Sequence, residues 1–268
     1  MIFDTHIHLN DEVFKNDMVR YLKEADEKGV KKFLCVGYDL ETSKIAIELA
    51  KRYKNIYAAV GVMPTEHNKY VFACDSQNKP TIDEIRDLIK NNINVIKAVG
   101  EIGLDYYWEK DETIKNKQKR MFIEQIQLAN EFNLPVSIHA RDATQDTFDI
   151  LKNHRVTCGG IMHCYSGSKE MAYEFIKLGY KIGFGGVLTF KNSKEVKEVL
   201  KSISLSDIVF ETDAPCLAPT PFRGQKNEPK YIFEIVKFAS EYLGVEQRKL
   251  EEISYCNSCN ILHVKNEN

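Results

Sequence analysis

The chain has 268 residues, 37 basic against 39 acidic side chains and a hydrophobic fraction of 43%, which excludes a disordered, collagenous or coiled-coil protein. A net charge of −2 and a pI near 6.4 supply no long-range attraction for polyanions or anionic lipid, so any nucleic-acid contact must be local. The seven cysteines, at 35, 74, 158, 164, 216, 256 and 259, are scattered and odd in number, which fits free thiols in the cytoplasm better than a disulfide framework.

Met1-Ile2-Phe3-Asp4 has no basic leader and no long apolar run occurs anywhere, so neither a signal peptide nor a membrane span is expected. In chain order, short β-branched or aromatic runs fall near Ile2–Ile7, Lys32–Val36, Ile56–Val60, Val95–Val99, Val136–Ile138, Gly160–Met162, Lys181–Gly183 and Ile208–Phe210. Between them lie amphipathic stretches such as Asp17–Lys28, Glu41–Tyr53, Thr81–Lys90, Ile114–Phe132 and Ser168–Leu178. This alternation predicts an α/β protein of the (β/α)8, or TIM, barrel class, a single domain over residues 1–268. An open doubly wound sheet is the alternative, but no GxGxxG follows the first strand and no linker marks a second domain. Lys230–His263 reads as two helices, one closing the barrel and one packed across it. Gly183-Phe184-Gly185-Gly186 reads as a tight turn using positive φ rather than as a phosphate cradle.

The chemistry gathers at strand ends. Asp4-Thr5-His6-Ile7-His8 places two imidazoles on one face of the first strand by its period of two. Later strands are expected to close on Glu101, His139, His163 and Glu211-Thr212-Asp213. That rim of a barrel is where its active sites sit. Burying several carboxylates and imidazoles together without a cation is costly, so the pattern points to metal. Four histidines and two carboxylates exceed the needs of one four-coordinate ion, which argues for two divalent ions sharing a carboxylate, and the lack of thiolates argues against structural zinc.

These residues also resemble a known family. Asp4-Thr5-His6-Ile7-His8-Leu9, Gly100-Glu101-Ile102-Gly103-Leu104-Asp105-Tyr106, Ile138-His139-Ala140-Arg141, His163-Cys164-Tyr165-Ser166-Gly167, Glu211-Thr212-Asp213-Ala214-Pro215, Arg223-Gly224 and Asn227-Glu228-Pro229 are similar to the motifs of TatD-type deoxyribonucleases, metal-dependent hydrolases related to the amidohydrolases. The resemblance implies one metal on His6, His8, Glu101 and Asp213 and a second on Glu101, His139 and His163, with Glu101 bridging. It implies 3′→5′ exonuclease action on DNA strand ends; Mg, Mn, Zn and Co are all compatible as the two ions, and Asp213 is the candidate general base for the metal-activated water. A monomer with no obligate protein partner is expected. Met63 stands where the family usually has a histidine before the proline, and His67 is either its substitute or a surface histidine.

Arg141 and Arg223 are candidate phosphate clamps, or else partners of loop acids. Tyr106, Tyr107 and Trp108 either stack on a base or pack over the barrel mouth. Glu228 is a candidate brace for the site. Lys115–Arg120 and Lys191–Lys201 read as solvated helix faces, and Cys256 with Cys259 as buried thiols. The rival functions are an amidohydrolase, or an esterase or deacylase acting for example on D-aminoacyl-tRNA, and a metal-binding module without turnover.

Overall fold

A computed structural model describes residues 1–73 and 79–266; Cys74 lies outside them. Strands β1 (Ile2–Ile7), β2 (Val30–Val36), β3 (Ile56–Val60), β4 (Ile96–Asp105), β5 (Val136–Arg141), β6 (Gly160–Met162), β7 (Tyr180–Phe184) and β8 (Ile208–Phe210) form one parallel sheet in sequence order. The sheet curls back on itself at the β8–β1 seam. There the Asp213 N–H reaches the His6 carbonyl at 2.9 Å, the His8 N–H reaches the Ala214 carbonyl at 2.9 Å, and the Thr5 hydroxyl reaches the Phe210 carbonyl at 3.0 Å. With helices between the strands, this is the (β/α)8 barrel.

Helices α1 (Met18–Glu27), α2 (Leu40–Arg52), α3 (Thr81–Asn92), α4 (Glu112–Glu131), α5 (Thr144–Asn153), α6 (Lys169–Lys177), α7 (Lys194–Ser202) and α8 (Ile232–Leu243) surround the sheet. Their period explains their docking: α1 buries Met18, Tyr21, Leu22 and Ala25, one stripe at i, i+3, i+4 and i+7. Local chemistry fixes their ends. Asp39 caps α2 in a reciprocal box with Thr42, Asp111 accepts the first N–H groups of α4, and α8 stops at Gly244 in the left-handed region at φ 65.

The barrel is filled, not hollow. Phe3, Leu34, Val36, Ala59, Ala98, Ile161 and Val209 form an inner cluster sealed by Tyr255, Cys259 and Leu262. Those last residues belong to α9 (Gln247–Ile261) and the turn after it, which covers the N-terminal end of the strands: Asn257 bonds the carbonyls of Leu205 and Ile208 at 2.8 Å. With one end stoppered, solvent reaches the strands at the other.

Three expectations need correction. β4 does not stop at Val99. A register irregularity between Val99 and Ile102 lets it run on, pairing Gly103 with His139 and Asp105 with Arg141, so Glu101 sits inside a strand. The glycines at 183, 185 and 186 have no positive φ; Gly183 and Gly186 make room instead. A Cβ on Gly183 would lie 2.7 Å from Glu211 Oε2, and one on Gly186 would lie 1.9 Å from the Leu217 carbonyl. Cys259 is buried as expected, whereas Cys256 is only half-buried. No helix among the described residues is long and apolar enough to cross a membrane.

Candidate metal centre

Six side chains converge at the C-terminal mouth of the barrel, each delivered by a strand or the first residues beyond it. Backbone bonds stitch their carriers together: Glu101 N–H to the Gly37 carbonyl at 2.7 Å, His163 N–H to Ile138 at 2.9 Å, and Asp213 to His6 as described. Asp213 itself has a left-handed backbone at φ 56, a conformation that turns the chain sharply after β8 and that Asp tolerates better than most residues.

Every imidazole has one nitrogen facing a partner outside the centre and the other aimed inward. His6 Nδ1 meets Ser137 Oγ at 3.0 Å, His8 Nδ1 meets the Val36 carbonyl at 2.9 Å, His139 Nε2 meets Asp105 Oδ2 at 2.9 Å, and His163 Nδ1 meets Glu211 Oε1 at 2.9 Å. The inward nitrogens surround Glu101. Its Oε2 lies 3.5 Å from His6 Nε2 and 3.7 Å from His8 Nε2. Its Oε1 lies 2.9 Å from His139 Nδ1 and 3.9 Å from His163 Nε2. Asp213 Oδ1 completes the ring, 3.4 Å from His8 Nε2 and 4.0 Å from His163 Nε2.

Burial decides the electrostatics. It pushes His6 down, helped by the stacked His163 ring 3.5 Å away, which favours the neutral form that a metal ligand needs. Burial alone would raise Glu101, yet His139 and His6 outweigh it and hold the carboxyl well below its ordinary range. Asp213 is likewise raised by burial and lowered further by His8 and His163, ending below its ordinary value. The cost falls on the other imidazoles. Against burial, Asp105 and Glu101 lift His139 to about 9, and Glu211 and Asp213 lift His163 to about 10. Without a cation, the negative charge of the carboxylates is balanced by protons on His139 and His163; a divalent cation would take over that role and displace them.

The donors fit such cations. Nitrogen and oxygen ligands at about 2.0–2.2 Å from a divalent ion stand roughly 3–4 Å apart, as do the Glu101, His6, His8 and Asp213 atoms above. His6 Nε2 is fully buried with no hydrogen-bond partner, an orphan that a cation satisfies. His6, His8 and Asp213 form one compact donor group, and His6, Glu101 and His163 another. His139 stands slightly apart, hydrogen-bonded to Glu101.

Sequence reasoning passed over the residues that hold the ligands. Asp105, Glu211 and Ser137 set the imidazole orientations, the usual task of carboxylates and hydroxyls behind a metal site. Asp4, pushed by burial to about 8, locks the seam through the Thr212 N–H at 2.9 Å and hydroxyl at 2.6 Å. Asn227 ties the Thr212 and Cys216 carbonyls at 2.8 and 2.7 Å, fixing the loop that carries Asp213. Glu228 pairs with Lys230 at 2.8 Å.

Two cavities open from the centre. One, of about 260 Å³, is walled by Arg141 with Ala140, Val187 and Leu217. The other, of about 300 Å³, is walled by Asp11, Tyr38, Met63 and Glu66. Tyr106 and Arg223 line neither. The Tyr106 hydroxyl is bound to Asp146 at 2.7 Å, and Arg223 lies over the Phe190 ring at 4.3 Å. Neither Arg141 nor Arg223 forms an ion pair among the described residues. His67 is buried, its Nε2 3.3 Å from Glu109; it is no surface histidine and lines neither cavity.

Known proteins share this arrangement of chain. The family model described as TatD related DNase matches residues 3–263. The chain is 41% identical over 256 residues to the uncharacterized metal-dependent hydrolase YabD of Bacillus subtilis, covering 95% of this chain and 94% of that protein. It is 31% identical over 268 residues to the uncharacterized metal-dependent hydrolase YcfH of Escherichia coli, covering 98% and 96%. The crystal structure of the TatD homologue YjjV of Escherichia coli superposes with a TM-score of 0.91 at 28% identity, covering 98% of each chain.

Proposed function

The chain belongs to the TatD-related DNase family of metal-dependent hydrolases, and on that premise we propose that it hydrolyses phosphodiester bonds at the 3′ ends of DNA, using two divalent ions bridged by Glu101. The supporting observation is the division of the Glu101 carboxylate, Oε2 toward His6 and His8 and Oε1 toward His139 and His163. One oxygen for each pair is what a bridging ligand needs, and paired ions suit in-line displacement at phosphorus. In this reading the protein acts as a monomer in the cytoplasm.

The ions, when bound, supply Lewis acidity toward water and the phosphoryl oxygens. The rest falls to side chains. Asp213, held ionised by His8 and His163, accepts the proton of the attacking water. The water oxygen bonds to phosphorus, the P–O3′ bond breaks, and the proton returns to the departing 3′ oxygen. Arg141, beside the centre and free of acidic partners among the described residues, binds a neighbouring phosphate with its planar fork.

The test is stepwise shortening of 5′-labelled single-stranded DNA with Mg²⁺, Mn²⁺, Co²⁺ or Zn²⁺. Shortening abolished by EDTA and by Asp213→Ala supports the reading. Intact DNA together with hydrolysis of D-aminoacyl esters would replace it with a deacylase.

A further inference from the structure

The two cavities share His139, His163 and Asp213 yet have opposite electrostatic character. The smaller carries a cation: the Arg141 guanidinium stacks at 3.9 Å on Tyr107 and 5.6 Å from Trp108, exposed rings that extend the wall outward. The larger carries anions. Asp11 accepts only the Val13 N–H, at 2.9 Å, and no cation pairs with it among the described residues. Glu66 meets Lys69 at 2.7 Å, but Lys69 is shared with Asp39 at 2.6 Å. One ammonium therefore serves two carboxylates, and the outer wall formed by Asp11 and Glu66 carries more acid than base.

We propose that the cavities sort the two sides of the scissile link. The polyanionic chain lies along Arg141, Tyr107 and Trp108, and the terminal nucleoside enters the cavity of Asp11, Glu66, Tyr38 and Met63, so the enzyme requires a free terminal hydroxyl and rejects a terminal phosphate. This rests on the nuclease reading above. A nucleoside ending in a hydroxyl is uncharged, whereas a terminal phosphate carries about −1.5 to −2 charges at neutral pH. In that cavity the phosphate would face the partly exposed carboxylates of Asp11 and Glu66, whose like charge repels it. The volume of about 300 Å³ is at the small end for ligand sites, suited to one nucleoside rather than several. Met63 and Tyr38 offer it a soft apolar wall with one hydroxyl.

The experiment compares one oligonucleotide ending in a 3′ hydroxyl or a 3′ phosphate, cut by the wild type and by the double variant Asp11→Asn, Glu66→Gln. Asn preserves the cap on the Val13 N–H, and the ratio of the two rates within each protein cancels any loss of active material. We expect the wild type to favour the hydroxyl end on the order of tenfold or more and the double variant to bring the ratio close to one. Equal rates for the wild type, or an unchanged ratio in the variant, overturn end selection while leaving the nuclease reading intact; no cleavage of either end overturns both. Occupancy is read independently at Cys216, an exposed thiol on the same cavity wall. Iodoacetamide labelling of Cys216, followed by peptide mass, should be slowed by a deoxynucleoside 5′-monophosphate and not by the 3′,5′-bisphosphate. Equal protection by both contradicts the proposal.

Discussion

Glu211 holds His163 from behind: its Oε1 lies 2.9 Å from His163 Nδ1, with both side chains buried. The same oxygen accepts the Cys164 N–H at 2.5 Å, so one carboxylate fixes both the ring and the turn that carries it. Glu211→Gln keeps an acceptor of the same shape but removes the charge that makes His163 a strong ligand. The expected result is a loss of about 10–100-fold in affinity for one of the two ions, measured by titration calorimetry with Mn²⁺ or Zn²⁺. Unchanged affinity at both sites would show that Glu211 does not tune the ligand.

Asp105 does the corresponding work for His139 and one task more. Its Oδ2 meets His139 Nε2 at 2.9 Å, while its Oδ1 accepts the N–H groups of Tyr107 and Trp108 at 2.9 and 3.1 Å. Asp105→Ala is expected to weaken metal binding and to release the aromatic turn together. Because the chain has one tryptophan, its emission reports the second effect directly, and an unshifted spectrum would separate the loop from the metal site.

The space left by Gly183 gives a different handle on the same carboxylate. Gly183→Ala would set its Cβ 2.7 Å from Glu211 Oε2 and 3.1 Å from the Met162 carbonyl. The nearer atom is the end of a side chain that can swing away, so folding should survive while Glu211 leaves His163. We expect thermal melting within several degrees of wild type but weakened metal binding. Full affinity in a folded variant would mean that Glu211 keeps its place by other contacts.

Asp39 ties stability to pH away from the metals. Burial alone would raise its carboxyl, but Lys69 and Thr42 outweigh burial and hold it below its unfolded value of 3.8. A depressed folded pKa means that this stabilisation is complete above pH 3.8 and fades as pH falls through the lower folded value. Asp39→Ala should therefore cost about 1–2 kcal/mol at neutral pH, the usual worth of such a cap. In urea unfolding the difference should shrink toward zero in strong acid. A penalty independent of pH would point to packing rather than charge.

Much of this site was legible because barrel topology converts a ligand at the end of a strand into a position on a shared rim. His6, His8, Glu101, His139, His163 and Asp213 could be named without coordinates for that reason. The residues behind them could not. Whether Asp105 touches His139 depends on the pairing of β4 with β5 beyond an irregularity, and a single strand read alone shows no such register. Glu211 is visible as an acid two places before Asp213, but only the folded structure, with Gly183 leaving space beside the carboxylate, shows that it reaches back to His163. The burial of His67 and the departure of Tyr106 from the cavities are likewise settled by tertiary packing, in contacts with Glu109 and Asp146.

The most direct measurement is the metal content of purified protein reconstituted with Zn²⁺ or Mn²⁺, set beside anomalous diffraction that locates the ions. A bridge at Glu101 predicts two ions per chain about 3.5–4 Å apart, one near His6, His8 and Asp213 and one near His139 and His163, and the loss of both in Glu101→Ala. A single ion, or two ions that both persist in Glu101→Ala, would contradict it.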